Sequence, residues 1–281
     1  MSYLMLSAVA VCVALQNALK KQYHAGEGER FPLGFSLYAC LGSLLLFAVL
    51  GAGEFSFSLK LLPYSVAFAA SFACATMGSL LAMAYGSMAV AMLASSYSLV
   101  IPTLYGAIFL GDRPSPFNLF GLFLLLLSIY LVRRGKGERN GKKFLLCLLL
   151  SFFGNGLCSL VQKLQQLHFA GSCKNEFMLL SLLLSGVFLL MAMAGKGESP
   201  LKDTKRSVPM GLACGIAAGG MNYLVMVLTN RMPNVVLYPS VSAGGLILGF
   251  FTAVLVFREK LEKRQYCGYT LGVFSIILLN L

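Results

Sequence analysis

The chain has no tryptophan, two histidines and ten acidic residues in 281 positions, against 22 lysines and arginines. Only 11% of its residues are charged, where a soluble domain of this size carries about a quarter, so a water-exposed globular surface is excluded. Its eight cysteines include no C-x-x-C pair. Most lie within apolar runs, where a free thiol behaves as a small hydrophobe, so neither a disulfide framework nor a metal site is indicated. His24 and His168 are isolated from one another and lie near run ends, too far apart to form a ligand set. There is no H-E-x-x-H, no G-x-S-x-G and no phosphate-binding loop, which argues against an intramembrane protease, an esterase or an ATP-driven pump. The expectation is a protein that is not an enzyme and needs no cofactor or metal. The net charge of +12 does not point to nucleic acid, because the basic residues gather at linkers, where membrane orientation uses them.

What the chain has in abundance is apolar sequence: 58% hydrophobic residues and a mean hydropathy of +0.80. The apolar runs are long enough to cross a bilayer, which takes roughly 20 helical residues. Five expected spans are Tyr3–Leu19, Phe31–Ala52, Leu62–Tyr85, Met88–Gly111 and Phe117–Val132. Five more come after them at Phe144–Leu167, Phe177–Ala194, Val208–Thr229, Val235–Phe257 and Tyr266–Leu281. Helices are expected because the runs are continuous rather than alternating, and because an open strand leaves backbone polar groups unsatisfied in lipid. The linkers are too short to hold a soluble domain. The first run lacks a basic leader and a small-residue cleavage site, and is read as a span rather than a signal peptide.

Five plus five suggests duplication. A shift of 147 residues lays "LGDRPSPFNLFG" over "FREKLEKRQYCG", placing Asp112 on Glu259, Arg113 on Lys260 and Gly121 on Gly268. Nearer the start of each half, a shift of 142 pairs Lys21 with Lys163, Phe35 with Phe177, and Ser65–Val66 with Ser207–Val208. On these residues the chain resembles the drug/metabolite transporter superfamily in its ten-helix EamA-like form. The resemblance covers nearly the whole chain, and rests most on the acid after the fourth and ninth spans and the glycine that enters the fifth and tenth. It implies an all-α membrane fold of ten transmembrane helices, in two inverted five-helix repeats (1–135 and 136–281), that exports or exchanges small metabolites. An odd number of spans per repeat gives the inversion directly, since a five-span unit ends on the opposite side and its copy is inserted upside down.

Asp112 and Glu259 are expected to fix tight helix hairpins, pairing with the neighbouring base or accepting hydrogen bonds from the first N–H groups of the next helix, without touching substrate. A pathway is sought instead among small and polar residues inside the spans. Ser95, Ser98, Pro102 and Tyr105 share one face of the fourth span; in the ninth they correspond to Ser242, Gly245, Gly249 and Thr252, with Tyr238 one turn earlier. Gly211, Gly215, Ala218 and Asn222 share a face of the eighth span, Ser151, Asn155, Ser159 and Gln162 one of the sixth, and the first contributes Gln16 and Asn17. For glycines and serines, close helix packing is the favoured reading of such faces over a cavity. Buried amides cost more, so Asn17, Asn155 and Asn222 serve either a cavity or an interhelical hydrogen bond. Tyr97, Tyr223 and Tyr238 are candidate aromatic walls, while Tyr3 and Tyr266 near span ends read as interfacial anchors. The candidate substrate-binding set is therefore Asn17, Ser95, Ser98, Tyr105, Asn155, Asn222, Tyr223, Tyr238 and Ser242.

None of the ten acids falls deep within a span. A proton-coupled cation exporter commonly uses such a carboxylate, whereas amides bind polar groups without titrating. Lys20, Lys21 and Lys163 lie where they can reach inward and attract an anionic group. The expected cargo is a small neutral, zwitterionic or weakly anionic metabolite, moved by alternating access; the competing reading is an intramembrane enzyme or a scaffold that moves no solute. The expected setting is a multi-pass position in the cell (plasma or cytoplasmic) membrane, as a monomer or alternatively a homodimer. Seventeen of the 22 Lys and Arg residues sit on the odd-numbered linkers, so by the bias of basic residues toward the cytoplasm both termini should lie outside. Ten-helix members of the family usually have theirs inside.

Overall fold

The computed structural model describes residues 2–25, 31–50, 58–109, 115–132, 141–169, 172–197, 199, 204–229, 234–259 and 262–278. The described residues hold helix and no strand. In chain order the helices are α1 (Ser2–Ala25), α2 (Pro32–Leu50), α3 (Leu62–Tyr85), α4 (Met88–Ser96), α5 (Val100–Phe109), α6 (Pro116–Val132), α7 (Gly141–His168), α8 (Lys174–Gly195), α9 (Thr204–Thr229), α10 (Asn234–Phe251) and α11 (Lys263–Leu278). Six stretches are long and apolar enough to cross a membrane: Tyr3–Ala25, Pro32–Leu50, Leu59–Tyr85, Gly141–His168, Lys174–Gly195 and Lys205–Val225. That pattern is compatible with a multi-pass α-helical membrane protein. Large apolar side chains such as Leu45, Phe123, Leu146, Phe153, Leu183 and Phe274 face outward, while the hydroxyls of Ser36, Ser65, Ser151, Ser181 and Ser185 are fully buried. Lipid in place of water accounts for this distribution.

Local sequence sets the helix starts and breaks. Pro32 and Pro116 stand at the first positions of α2 and α6, and Pro63 in the first turn of α3, where a missing N–H costs nothing and φ is already helical. The expected fourth span is one helical stretch interrupted by a 3-10 turn at Tyr97–Leu99. Pro102 explains the break, because it has no N–H to give the Ser98 carbonyl. Beyond α10 the chain continues as a π turn over Thr252–Val256, with Phe257 N–H donating to the Thr252 carbonyl (3.2 Å) and Glu259 N–H to that of Ala253 (3.0 Å). Between these donors Arg258 adopts the left-handed conformation, φ 50°, which closes the helix end and turns the chain back.

The main packing runs between the first five expected spans and the last five. α3 packs on α7, α2 on α9, α1 on α9 and α10, α8 on α2 and α3, and α6 on α11. Glycines bring two of these pairs to backbone contact. A Cβ on Gly78 would lie 2.5 Å from the Ser151 nitrogen, one on Gly154 2.5 Å from the Ala75 nitrogen, and one on Gly42 2.5 Å from the Leu212 carbonyl oxygen. These are small-residue interfaces of the kind that associate helices in lipid without a hydrophobic drive. α6 and α11 are joined reciprocally: Ser128 Oγ donates to the Gly268 carbonyl (2.6 Å) and Ser275 Oγ to the Gly121 carbonyl (2.8 Å).

Candidate functional site

Among these helices lies a cavity of about 250 Å³, walled by α1, α2, α3, α4, α7, α9 and α10. It falls just below the roughly 300–1,000 Å³ usual for small-molecule sites. α1 presents Val13, Gln16, Asn17 and Lys20 to it, the i, i+3, i+4, i+7 spacing of one helix face. Around the same cavity stand Asn155 and Gln162 of α7, Asn222 of α9, and Ser95, Ser98 and Ser242 of α4, the 3-10 turn and α10. Thus Asn17, Ser95, Ser98, Asn155, Asn222 and Ser242 line one cavity together.

Two tyrosines of the sequence-based set lie elsewhere. Tyr105 stacks on Phe109, ring centroids 4.8 Å apart, outside the described lining. Distance along the helix explains this: Tyr105 is ten residues beyond Ser95, roughly 15 Å further along the axis, while the described lining takes nothing from this stretch past Ser98. Tyr223 packs against the apolar cluster of α2, α3 and α8; it comes one residue after Asn222 and so points about 100° away from it. The side chain of Tyr238 is outside the described residues. Tyr97, a further candidate wall, is buried and donates its hydroxyl to Ser128 Oγ (2.6 Å), which draws it to the α6–α11 pair.

The packing and cavity readings of the polar faces both apply, to different residues. Ser151 is fully buried and bonded to Ser95 Oγ (2.8 Å); Asn155 donates to the Ser151 carbonyl (2.8 Å) and Asn222 to that of Ala218 (3.0 Å). Gly211 and Gly215 turn toward α2, while Ala218 and Asn222 of the same helix reach the cavity. Sequence reasoning missed α3 as a wall. Phe72, Thr76 and Ser79 all line the cavity, and their i, i+4, i+7 spacing is visible in the sequence.

Lys20 is the one charged side chain among the described lining residues. It is 8% exposed and donates to Ser79 Oγ (2.9 Å), while Ser79 donates onward to the Thr76 carbonyl (3.1 Å). Its neighbour Lys21 faces another way and meets Glu259, Nζ to Oε1 3.0 Å. Glu259 also accepts from the Met88 N–H (2.9 Å) and from Ser87 Oγ (2.6 Å), at the N-terminus of α4. Lys21 further donates to the Gly86 carbonyl (3.2 Å). The expectation that Glu259 serves its own hairpin is therefore corrected. The reversal at Arg258 carries its carboxylate to the start of a helix in the other half, where exposed N–H groups and the helix dipole favour an anion. Asp112 lies outside the described residues. Lys163 is not among the described lining residues.

No protein-family model matches the chain, and no curated protein matches it. Among solved structures it is similar to one described only as "Crystal structure of protein", with a TM-score of 0.67 and 13% identity over 97% of this chain and 95% of the other. At that identity the likeness is one of fold.

Proposed function

We propose that this protein is a secondary transporter of a small neutral, zwitterionic or weakly anionic metabolite, built as two inverted five-helix repeats of the drug/metabolite transporter kind, with ten spans in all. The observation that carries the reading is the cavity, whose polar wall is drawn from both halves: Asn17, Lys20 and Ser79 from the first, Asn155, Gln162 and Asn222 from the second. Substrate sites of inverted-repeat transporters lie at such an interface. The packing obeys the same logic. Numbered as spans, 3 on 6 is answered by 8 on 1, and 2 on 8 by 7 on 3, while 5 on 10 answers itself. Under the 147-residue shift Ser128 becomes Ser275 and Gly121 becomes Gly268, so the two reciprocal hydrogen bonds are one bond repeated about a two-fold axis.

The Lys21–Glu259 pair, next along α1 from the cavity residue Lys20, ties α1 and the start of α4 to the end of α10. It is read as a latch that holds the cavity shut at this end. The test is flux. Purified protein in proteoliposomes, screened against radiolabelled amino acids, monocarboxylates, sugars and nucleosides with no pH difference imposed, should move at least one class down its gradient faster than protein-free vesicles. Failure across all classes, or movement only of organic cations with one proton exchanged for each, would overturn the reading.

A further inference from the structure

We propose that Lys20 is the anchor for a single carboxylate on the transported molecule, which narrows the cargo to small monocarboxylates or amino acids. This rests on the transport reading above and deepens it. A lysine ammonium carries three donors, and Ser79 takes one of them. Glu259 pairs with the neighbouring Lys21. Lys20 therefore stands in the wall of a cavity, more than nine-tenths buried, with no carboxylate within ion-pair distance among the described residues. A desolvated ammonium in that position is costly, and an anion seated in the cavity would offset the cost.

The other charged or titratable groups near this part of α1 do not fill that role. Lys21 is engaged with Glu259, and Arg206 donates to the Gln22 carbonyl (2.8 Å) and lies over the Tyr23 ring, 5.9 Å from its centroid. His24 packs edge-on against Tyr23. None of the three is among the described lining residues; Cys214 is, but its thiol donates to the Gln16 carbonyl (3.6 Å), and the amides Gln16 and Asn17 stand one turn from Lys20 on the same face.

Packing alone does not call for a cation here. Under the 142-residue shift Lys20 corresponds to Gln162, which lines the same cavity as a neutral amide and donates weakly to Met178 Sδ (3.7 Å). One repeat accommodates an uncharged side chain where the other places an ammonium, so the charge answers something other than the scaffold. One cation with two spare donors matches one carboxylate. A phosphate, with more charge and more acceptor sites, calls for an arginine fork or several cations, and the described lining supplies neither.

The test pairs acids with their amides. Purified protein in detergent is melted, tracked by circular dichroism, with each of a panel of amino acids and C2–C6 monocarboxylates, with the matching carboxamides, and with chloride and inorganic phosphate. At least one carboxylate should raise the melting temperature with concentration while its carboxamide does not. Lys20→Gln should fold as wild type, as Gln162 does in the other repeat, and weaken that binding roughly 10- to 100-fold; Lys20→Arg should retain most of it. Equal stabilisation by acid and amide, unchanged binding in Lys20→Gln, or preferential binding of chloride or phosphate would overturn the proposal. If Lys20→Gln fails to fold, the acid–amide comparison in the wild type decides alone. Flux that is indifferent to the carboxylate would sink this inference and leave transport standing, and Lys20-dependent carboxylate binding without flux would do the reverse.

Discussion

Replacing Glu259 should open the cavity from the latch end. Glu259→Ala removes the side-chain acceptor of the Met88 N–H at 2.9 Å, and helix caps of this kind contribute about 1 kcal/mol. It removes an anion from a helix N-terminus, about 0.5 kcal/mol more. It also breaks the pair with Lys21, whose side chains are 20% and 12% exposed, placing it between the weak surface pairs and the costly buried ones, at about 1–2 kcal/mol. The sum is about 3 kcal/mol, which in a two-state cavity shifts the balance roughly 100-fold toward the state open at this end. Glu259→Gln keeps an acceptor for the amide but loses the charge, so its shift should be smaller, about 25-fold by the same conversion. The assay is the reactivity of Ser95→Cys, in a background lacking the native cysteines, toward a membrane-impermeant thiol reagent applied from the latch side of oriented vesicles. Leu124→Cys on α6 is the unreactive control. Reactivity should rise in the order wild type, Gln, Ala, and Lys21→Ala should add little to Glu259→Ala, since both break one contact. A lowered melting temperature with unchanged Ser95→Cys reactivity would refute the latch and leave Glu259 as a helix cap.

A cytoplasm-only reporter fused at Leu281 should be silent. The latch gathers the end of α1, the start of α4 and the end of α10 at one end of the bundle, and Arg206 at the start of α9 bonds to Gln22 there; basic flanks keep such an end cytoplasmic, so strong reporter activity would reverse the orientation. Ser275→Ala should cost about 1 kcal/mol by losing one hydrogen bond. Ser128→Ala should cost about 1–3 kcal/mol more, because it also strands the buried Tyr97 hydroxyl. Thermal unfolding measures both, and adding Tyr97→Phe should recover the excess; equal costs for the two serines would contradict the hydrogen-bond chain.

Helix positions were legible in the sequence because lipid leaves the backbone so few choices. The span expected at Leu62–Tyr85 coincides with α3, and Pro32 and Pro116 mark starts that come from the absence of an N–H. Lateral direction was harder to read. Tyr223 follows Asn222 by one residue and so turns about 100° from it, into the cluster of α2, α3 and α8, while Tyr105 lies roughly 15 Å along the helix from Ser95, past the described lining. Glu259 shows the other limit: a repeat shift says which residues are equivalent, not which ones meet. Its partner lies 171 positions away in the chain, and only the reversal at Arg258 brings the two together. The Ser128–Gly268 and Ser275–Gly121 bonds were within reach, since the shift that aligns the glycines also aligns the serines.

Lys20 and Lys21 are consecutive on α1, one lining the cavity and the other paired with Glu259, and that adjacency constrains any mechanism in which the cavity opens at this end. They share a single helical turn, so a movement of that turn large enough to part Lys21 from Glu259 also displaces the Lys20 ammonium and whatever is bound to it. On the transport reading proposed above, cargo and latch are then linked mechanically, but linkage alone moves nothing: a bound molecule shifts the balance only by the difference in its affinity for the two states. With the latch contributing about 3 kcal/mol, a cargo must bind the opened state roughly 100-fold more tightly to bring the two into balance. Two free donors on Lys20 and the neighbouring amides of Gln16 and Asn17 are groups that can supply such a difference, provided that they close on the carboxylate only after the turn has moved. A neutral solute that leaves the ammonium uncompensated gains little from that movement, so the same turn that opens the cavity would favour carboxylates over their amides.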